Sequence, residues 1–428
     1  MSDILIKPAR AVSGTFTVPG DKSISHRALI LSAMAEGKSK ISGLSDARDV
    51  ASTRQCIEKL GIKISSLKGG IIAVAGKGKY GFREAKAPLD AGNSGSTIRL
   101  LSGVAAAQPF TTTITGDESL CRRPMRRIIE PLEQMGAHIE SNGYKAPLVI
   151  RGGALRSIDY ASTIASAQVK SCILLAGLYA NGTTRVTEPS PSRDHTERML
   201  ESFGVKARFS QSGAGVQGPA TLQACDVTIP GDLSSASFFL VMASLLADSE
   251  ITIQQVSVNP TRMGIYDALS AMGAMIQASP AVILQGEPRA DLSVRSSKLH
   301  AAALGGSMIP RIIDEIPVLA VAATQAQGVT TIRDAGELRL KESDRLAAIC
   351  KNLSAMGANI RETKDGMIIT GPTPLHGAEI DSYDDHRIAM AFAVAGLIAS
   401  GETLIKNGTC TEISFPGFFG LLDRIRHD

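Results

Sequence analysis

The feature that most constrains the fold is a repeated phrase, in which an apolar helix-like run is followed by a turn and a short β-branched strand. The apolar runs are residues 28–35, 100–107, 172–180, 238–247, 318–326 and 389–400. The strands that follow them are 39–44, 112–116, 183–188, 250–256, 330–335 and 402–407. Helices that are apolar nearly all round are buried. The phrase therefore predicts buried helices covered by sheets.

A second phrase recurs at the same interval, an amphipathic helix that ends in Gly and continues into a strand. Its copies are 57–64, 132–139, 200–207, 269–276 and 353–360, with a shorter sixth copy at 421–425. The glycines that follow these helices, Gly61, Gly136, Gly204, Gly273 and Gly357, are 75, 68, 69 and 84 residues apart, and Gly is the usual residue just after a helix. A period of about 70 residues fits one βαβαββ unit. The chain is predicted to be an α/β protein of six such units.

The six units differ mainly where each apolar helix begins. These starts, rich in small, polar and charged residues, are 20–27, 92–99, 165–171, 231–237, 314–317 and 384–387. Ser, Asp and Asn are ordinary N-caps, which explains each start taken alone. Cations such as Lys22 and Arg387, however, oppose the helix dipole by about a few tenths of a kcal/mol, which a bound anion would offset. The pattern indicates anionic ligands.

Length and composition set the class of protein. A chain of 428 residues with 44% hydrophobic and 20% charged residues is globular, and six units suggest two domains of three. The net charge of +4 is too small to imply nucleic acid. Six scattered cysteines and the lack of a signal peptide or long apolar run predict a cytoplasmic protein without a membrane partner. The Gly- and Ser-rich stretch 210–218 is expected to be a loop near a domain boundary.

Several motifs, spread in order over essentially the whole chain, resemble the 5-enolpyruvylshikimate-3-phosphate synthase family. They read GDKSISHRALILSA, NSGSTIR, RRPM, SAQVKS, SRDHTE, LRLKESDRL, DDHRIAMAF and TEISFPGF. The resemblance implies an inside-out α/β barrel of two domains, each of three βαβαββ repeats. The domain on the shikimate 3-phosphate side is expected at 21–229. Residues 1–20 plus 230–428 would carry the catalytic carboxylates and the phosphoenolpyruvate side.

The resemblance also implies an activity. The family transfers the carboxyvinyl group of phosphoenolpyruvate to the 5-hydroxyl of shikimate 3-phosphate, a step toward chorismate and the aromatic amino acids. No metal or organic cofactor is implied, nor any nucleic-acid partner, and a monomer is expected. The family is the target of glyphosate, and this chain is more similar to the subgroup of tolerant bacterial forms. Leu100 and Ile413 replace the Pro and the phosphoenolpyruvate-binding Lys of the enterobacterial type, whereas Gly95 is typical of sensitive enzymes.

The resemblance assigns site residues to both substrates, which together carry four anionic groups that need cations or N–H donors. Shikimate 3-phosphate is expected to contact Lys22, Ser23, Arg27, Ser166, Ala167, Gln168, Arg193, Asp314 and Lys341. Phosphoenolpyruvate is expected to contact Lys22, Gly95, Arg123, Gln168, Arg345 and Arg387. Asp314 is expected to take the hydroxyl proton and Glu342 to handle the C3 proton, while Lys22 assists phosphate departure.

Three local expectations accompany these assignments. Lys341 and Arg345 are expected four residues apart on one helix face, where like charges repel unless an anion lies between them; a solvated charged face is the alternative. Glu315 should point away from Asp314, because adjacent residues at a helix start diverge. His386 could orient a group or take part in catalysis, and no histidine pair has metal-ligand spacing.

Two other functions remain as alternatives. UDP-N-acetylglucosamine 1-carboxyvinyltransferase resembles this family in fold and chemistry, but has Asn after the first Lys and a reactive Cys in a Gly-rich loop. Here Ser23 follows Lys22, and Cys121 lies beside Arg122 without that loop. A six-unit DNA clamp would need Lys and Arg along exposed helix faces, whereas here the cations lie at helix starts.

Overall fold

The computed structural model describes residues 2–210 and 212–427, which form alternating helices and strands. The α-helices are α1 (Lys22–Met34), α2 (Arg48–Lys59), α3 (Gly95–Ala105), α4 (Glu118–Arg122), α5 (Arg126–Gln134), α6 (Ala167–Gly177), α7 (His195–Ser202), α8 (Leu233–Leu245), α9 (Gly264–Ala271), α10 (Ile309–Ile312), α11 (Ile316–Gln325), α12 (Arg345–Ala355), α13 (His386–Ile398) and α14 (Phe418–Ile425). Short 3₁₀ helices span Lys68–Gly70, Gly306–Met308, Gly336–Leu340 and Gly408–Ile413.

The strands are short and lie between the helices. In chain order they are β1 (Ile4–Ile6), β2 (Ala11–Thr17), β3 (Glu36–Ser42), β4 (Lys63–Ser66), β5 (Ile72–Lys77), β6 (Leu89–Asp90), β7 (Thr111–Thr115), β8 (His138–Asn142), β9 (Lys145–Arg151), β10 (Asp159–Ala161), β11 (Gly182–Thr187), β12 (Ala207–Ser210), β13 (Gly213–Gly218), β14 (Val227–Thr228), β15 (Glu250–Ser257), β16 (Met275–Ala278), β17 (Val282–Leu284), β18 (Glu287–Arg295), β19 (Ala303–Leu304), β20 (Gly328–Ile332), β21 (Asn359–Thr363), β22 (Gly366–Gly371), β23 (Glu379–Asp381), β24 (Thr403–Lys406) and β25 (Arg426–His427).

The helices predicted from the apolar runs are confirmed. They are α1, α3, α6, α8, α11 and α13, and the strands after them are β3, β7, β11, β15, β20 and β24. Nearly every residue of α8 and α13 is buried, as all-round apolar sequences require. The helices begin before the apolar runs, and a polar side chain caps five of the six, α11 being the exception.

The glycines of the second phrase have the backbone conformation that the sequence predicts. Gly61, Gly136, Gly204, Gly273 and Gly357 have φ angles of 86°, 106°, 82°, 89° and 88°. A residue with a Cβ would be strained in this left-handed region, so Gly ends each helix and turns the chain into the next strand.

The chain divides into two compact units. Within the described residues, unit 1 comprises the stretch up to Pro19, Gly231–Val282 and the stretch from Pro288 onward, and unit 2 comprises Gly20–Pro230 and Ile283–Glu287. Each unit has its own cluster of buried apolar residues.

In unit 2, helices α1, α3 and α6 are buried and three sheets share one pattern. The strand orders are β14-β3-β5-β4, β6-β7-β9-β8 and β10-β11-β13-β12. In each sheet the first pair is parallel and the other two pairs are antiparallel. A Cβ on Gly103 would overlap the Cys172 carbonyl, so Gly allows α3 and α6 to pack closely.

In unit 1, helices α8, α11 and α13 are the buried ones. Its strand orders are β16-β18-β15-β2-β25, β19-β20-β22-β21 and β1-β24-β23. Phe239 of α8 packs against Phe16 of β2 and Phe418 of α14, with ring centroids 5.1 and 5.6 Å apart. The mixed sheets and helices confirm the α/β class.

The prediction of a loop at 210–218 is wrong for the part of this stretch that the structure describes. Strands β12 and β13 form an antiparallel pair there, and Gln211 lies outside the described residues. Glycines replace the usual β-branched residues because the backbone is crowded: a Cβ on Gly213 would overlap the Val186 carbonyl, and one on Gly218 would overlap the Gly177 carbonyl. The sequence therefore lacks the alternation that normally indicates a strand.

Candidate active site

Lys22 is the first residue of α1, and its ammonium group lies against a carboxylate. Asp21 caps the helix, since its Oδ1 accepts a hydrogen bond from the Ile24 N–H at 2.9 Å. Lys22 Nζ donates to Asp49 Oδ2 at 2.8 Å, and the Lys22 side chain is 16% exposed. The pair holds Nζ at the helix start, where backbone N–H groups also favour an anion.

Arg27, one turn further along α1, is buried with a partner on each of its nitrogens. Nε donates to Thr196 Oγ1 at 2.7 Å, and Nη2 donates to Ser171 Oγ at 2.7 Å. Nη1 donates to the Ser23 carbonyl at 2.9 Å, which brings together two residues predicted to bind shikimate 3-phosphate. Burial lowers the pKa of Arg27 to about 10 against the opposing effect of Glu197, so it stays a cation at neutral pH.

Gly95 begins α3, and two guanidinium groups lie beside it. A Cβ at this position would be 2.6 Å from Arg99 Nη1 and 3.5 Å from Arg123 Nη1. Arg99 Nη1 donates to Gln168 Oε1 at 2.8 Å, and Gln168 Nε2 donates to Ser96 Oγ at 2.9 Å. The structure thus brings Gly95, Arg123 and Gln168 close together, and it adds Arg99, which the sequence did not assign to a substrate.

Arg123 is 7% exposed and is held by the loop that precedes α3. Its Nη1 donates to the Asn93 carbonyl at 3.1 Å and its Nη2 to Asn93 Oδ1 at 2.6 Å. Nη2 also donates to Ser119 Oγ at 3.2 Å. These contacts fix the plane of the guanidinium group, which matters for paired hydrogen bonds to a carboxylate or phosphate.

Ser166 caps α6, whose first residue is Ala167. Its Oγ accepts a hydrogen bond from the N–H three residues on, and its own N–H donates to Glu188 Oε1 at 2.8 Å. Arg193 lies between β11 and α7 and is partly buried. Burial is the main cause that lowers the pKa of Arg27, and the charge of Arg193 adds to that lowering.

In unit 1, Asp314 lies in the turn before α11 with a guanidinium group on each carboxylate oxygen. Oδ1 is 3.5 Å from Arg345 Nη1, and Oδ2 is 3.5 Å from Arg387 Nη2. Arg387 Nη1 also donates to the Asp314 carbonyl at 3.0 Å. Three predicted site residues therefore lie together.

Arg345 is the centre of this group and is 1% exposed. Its Nε donates to Asp385 Oδ2 at 2.7 Å and its Nη2 to Glu342 Oε2 at 2.6 Å. Burial alone would lower the pKa of Arg345, but Asp385 and Glu342 raise it above its ordinary value. Asp385 also caps α13 by accepting a hydrogen bond from the Arg387 N–H at 2.9 Å.

The expectation that Lys341 and Arg345 share one helix face is wrong. Lys341 follows the 3₁₀ helix Gly336–Leu340, whereas Arg345 is the first residue of α12. Asp344 separates the two helices, because its side chain accepts a hydrogen bond from the Ala347 N–H and starts α12 anew. The repulsion argument for an anion between these two cations therefore fails.

Glu315 points away from Asp314, as predicted. Ser234 Oγ donates to Glu315 Oε1, and Arg262 Nη2 lies 3.9 Å from the same oxygen. Arg262 Nη2 also donates to Ser234 Oγ at 2.6 Å and to Asp232 Oδ1, the cap of α8, at 3.2 Å. This buried cluster orients the start of α11, and the sequence did not predict it.

The sequence did not predict a second feature, a chain of hydrogen bonds that links α1, α2 and α3. His26 Nδ1 is 2.7 Å from Thr53 Oγ1, which is 2.6 Å from Thr97 Oγ1. Thr97 Oγ1 donates to Oγ of Ser94, the cap of α3, at 2.8 Å. Burial holds the pKa of His26 well below its ordinary value, so the imidazole is neutral. The only sequence signal was the position of His26 beside Arg27.

Three further observations concern the predicted cofactor and compartment. All six cysteines have free thiols. In the part of the chain that the structure describes, no group of three or more His, Cys, Asp or Glu side chains is arranged to hold a metal ion. None of the helices in the described residues has both the length and the apolar character needed to cross a membrane.

Comparisons with known proteins cover nearly the whole chain. The family model for EPSP synthase (3-phosphoshikimate 1-carboxyvinyltransferase) matches residues 6–422. Proteins named 3-phosphoshikimate 1-carboxyvinyltransferase are 50% identical in Brevibacillus brevis, over 98% of this chain and 99% of that protein, and 52% identical in Gloeobacter violaceus, over 98% of each. The solved structure of EPSP synthase from Acinetobacter baumannii is 41% identical, with a TM-score of 0.89 over 100% of this chain and 98% of that one. The chain belongs to the EPSP synthase family of transferases.

Proposed function

We propose that the protein transfers the carboxyvinyl group of phosphoenolpyruvate to the 5-hydroxyl of shikimate 3-phosphate, releasing phosphate in the shikimate pathway. In the first step the hydroxyl oxygen adds to C2 of phosphoenolpyruvate while C3 gains a proton. In the second step C3 loses a proton and the bond from C2 to the phosphate oxygen breaks. The reaction therefore needs a base at the hydroxyl, a group that gives and takes the C3 proton, and cations at the leaving phosphate.

The observation that carries the mechanism is that two carboxylates contact one buried guanidinium group. Arg345 Nη2 binds Glu342 at 2.6 Å, and its Nη1 lies 3.5 Å from Asp314. Both carboxyl groups are thereby held by one rigid cation and are still partly exposed, at 19% and 14%. We assign Asp314 as the base for the hydroxyl proton and Glu342 as the group for the C3 proton.

The cations and helix starts of unit 2 support anion binding. Lys22 and Ser166 lie at the starts of α1 and α6, where backbone N–H groups add to the side-chain donors, and Arg27 lies one turn further along α1. We assign shikimate 3-phosphate to Lys22, Ser23, Arg27, Ser166, Ala167, Gln168 and Arg193, together with Asp314 and Lys341. We assign phosphoenolpyruvate to Lys22, Gly95, Arg123, Gln168, Arg345 and Arg387, with Lys22 assisting phosphate departure.

The same proposal covers the architecture. Three buried helices and three sheets in each unit support the inside-out α/β barrel with three βαβαββ repeats per domain. We take the domains as 21–229 and as 1–20 plus 230–428. The free cysteines support a reducing compartment, and we expect a cytoplasmic monomer that acts without nucleic acid or membrane.

The test is phosphate release from phosphoenolpyruvate by the purified protein. Release that depends on shikimate 3-phosphate, with formation of the enolpyruvyl ether, is the expected result. Release that depends on UDP-N-acetylglucosamine instead would assign the protein to the other enolpyruvyl transfer. Cys121, whose Sγ is 3.4 Å from the Gly116 carbonyl and half-buried, gives that alternative little support.

A further inference from the structure

A lysine and two glutamates form a buried ionic cluster in unit 2, behind the starts of α6 and α7. Lys170 Nζ is 2.9 Å from Glu197 Oε1 and 3.1 Å from Glu188 Oε2, and these side chains are at most 5% exposed. Burial alone would lower the pKa of Lys170, but the two carboxylates raise it. Ions removed from water cost several kcal/mol each, and an apolar replacement is often as stable. Stability alone is therefore a weak reason for the cluster.

The cluster holds the backbone that carries two of the residues assigned to shikimate 3-phosphate. Glu188 Oε1 accepts a hydrogen bond from the Ser166 N–H at 2.8 Å, and its Oε2 accepts one from Ser192 Oγ at 2.7 Å. Lys170 Nζ donates to the Ser192 carbonyl at 3.3 Å. One carboxylate thus joins the cap of α6 to the residue just before Arg193.

Residues next to the cluster also hold Arg27, a third residue assigned to shikimate 3-phosphate. Thr196, next to Glu197 at the start of α7, accepts a hydrogen bond from Arg27 Nε at 2.7 Å. Ser171, next to Lys170 on α6, accepts one from Arg27 Nη2 at 2.7 Å. The helix turns that carry Lys170 and Glu197 are therefore the same turns that hold the Arg27 guanidinium group.

We propose that Glu188, with Lys170, is a positioning residue that sets the distance between Ser166, Arg193 and Arg27 and thereby the affinity for shikimate 3-phosphate. The inference rests on the function proposed above, in which these residues bind that substrate. Glu188 is buried and is not among the residues assigned to either substrate. Of the residues assigned to phosphoenolpyruvate, only Gln168 lies on α6 beside the cluster, so the affinity for phosphoenolpyruvate should be affected less.

The test is Glu188→Gln, which keeps the volume and the oxygen facing the Ser166 N–H but removes the charge facing Lys170 and Ser192. KM and Kd for shikimate 3-phosphate should rise about tenfold, the scale of one lost hydrogen bond to a charged group. KM for phosphoenolpyruvate and kcat at saturation should change by less than about threefold. Ser192→Ala removes one hydrogen bond and should shift the same two constants in the same direction, by less.

The control is Gln108→Leu. Gln108 is also a buried polar residue of unit 2, and its Nε2 donates to the Tyr179 hydroxyl at 3.1 Å, away from the assigned residues. The variant should lower the melting temperature while leaving both KM values unchanged. Unchanged affinity for shikimate 3-phosphate in both Glu188→Gln and Ser192→Ala, with an active wild type, would overturn the positioning role alone. A wild type that neither binds shikimate 3-phosphate nor turns it over would overturn the proposed function and this inference with it.

Discussion

Lys22 has a fixed position at the start of α1, where its positive charge opposes the helix dipole. Replacing it with Met removes the ammonium group and with it the ion pair to Asp49 of α2. We expect kcat to fall by about 10²–10³, the usual cost of one well-placed electrostatic group. Steady-state kinetics measure this, with Lys40→Met, an exposed lysine on β3, as control. Activity above about a tenth of wild type would remove Lys22 from the mechanism.

Gly95→Ala tests whether phosphoenolpyruvate occupies the space beside Arg99 and Arg123. The new methyl group would lie 2.6 Å from Arg99 Nη1, so Arg99 must move and its hydrogen bond to Gln168 must lengthen. We expect KM for phosphoenolpyruvate to rise by about tenfold, as for one lost hydrogen bond to a charged group. Gly153→Ala, at a glycine with nothing within 4 Å of the added Cβ, is the control and should leave KM unchanged. Equal KM values in the two variants would contradict the assignment of Gly95.

Replacing the sulfur atom of Cys121 by oxygen distinguishes between the two candidate enolpyruvyl transfers. The proposed reaction needs no covalent thiol intermediate, and Ser keeps a donor for the Gly116 carbonyl, so Cys121→Ser should retain activity within about twofold of wild type. Mass spectrometry after treatment with a thiol-directed epoxide should show no coupling between modification of Cys121 and loss of turnover. Stoichiometric inactivation at Cys121 would favour UDP-N-acetylglucosamine, instead of shikimate 3-phosphate, as the substrate.

At the scale of the helices and strands, local sequence rules predicted most of the fold but not its buried polar contacts. Apolar runs and C′ glycines predicted six buried helices and the turns after the amphipathic ones, because burial and positive φ leave direct signs in the sequence. The break between Lys341 and Arg345 was missed although Asp344, whose side chain caps α12, is a local signal for a helix start. The ion pair between Arg345 and Asp385, the cap of α13, joins residues far apart in sequence and leaves no periodic signal.

The chain of hydrogen bonds from His26 to Ser94 predicts a pH dependence. The pKa of His26 in the folded protein is well below 6.5, its ordinary value and that of the unfolded chain. Below about pH 6.5 the unfolded state therefore binds a proton that the folded state does not, so the stabilisation by this group is present above pH 6.5 and lost as the pH falls. The free energy of unfolding should fall by up to about 1.4 kcal/mol per pH unit from this group.

Calorimetry between pH 7.5 and 5 compares wild type with His26→Gln, which keeps a side chain able to hydrogen-bond to Thr53. The wild type should lose melting temperature more steeply than the variant as the pH falls. Thr196→Ser, which retains the hydroxyl that accepts from Arg27, is the control and should keep the wild-type slope. Parallel curves for wild type and His26→Gln would show that His26 is not the group that titrates.

At the scale of the whole molecule, the two units differ in the chemistry that they carry. The helix starts of unit 2 hold the donors Lys22 and Ser166, and those of unit 1 include the carboxylate Asp314 together with Arg345 and Arg387. The family resemblance implied this division, because it placed the catalytic carboxylates in residues 1–20 plus 230–428. The sequence could not give the ion pairs Arg345–Asp385 and Lys170–Glu188, each of which joins residues far apart in sequence.

This division predicts where shikimate 3-phosphate binds when it is the only substrate present. Its phosphate and carboxylate should replace water at the backbone N–H groups that begin α1 and α6, because these are the donors left over by the helix hydrogen-bond pattern. Hydrogen–deuterium exchange of the full chain should therefore slow most in the first turns of α1 and α6 and in the segment around Arg193. Phosphoenolpyruvate alone should slow exchange there less, because only Lys22 and Gln168 of its assigned residues lie in these turns. The first turn of α9, which carries no assigned site residue, serves as the internal control. Protection that is equal in α9 and α6 would indicate general stabilisation, and it would contradict the assignment of shikimate 3-phosphate to these helix starts.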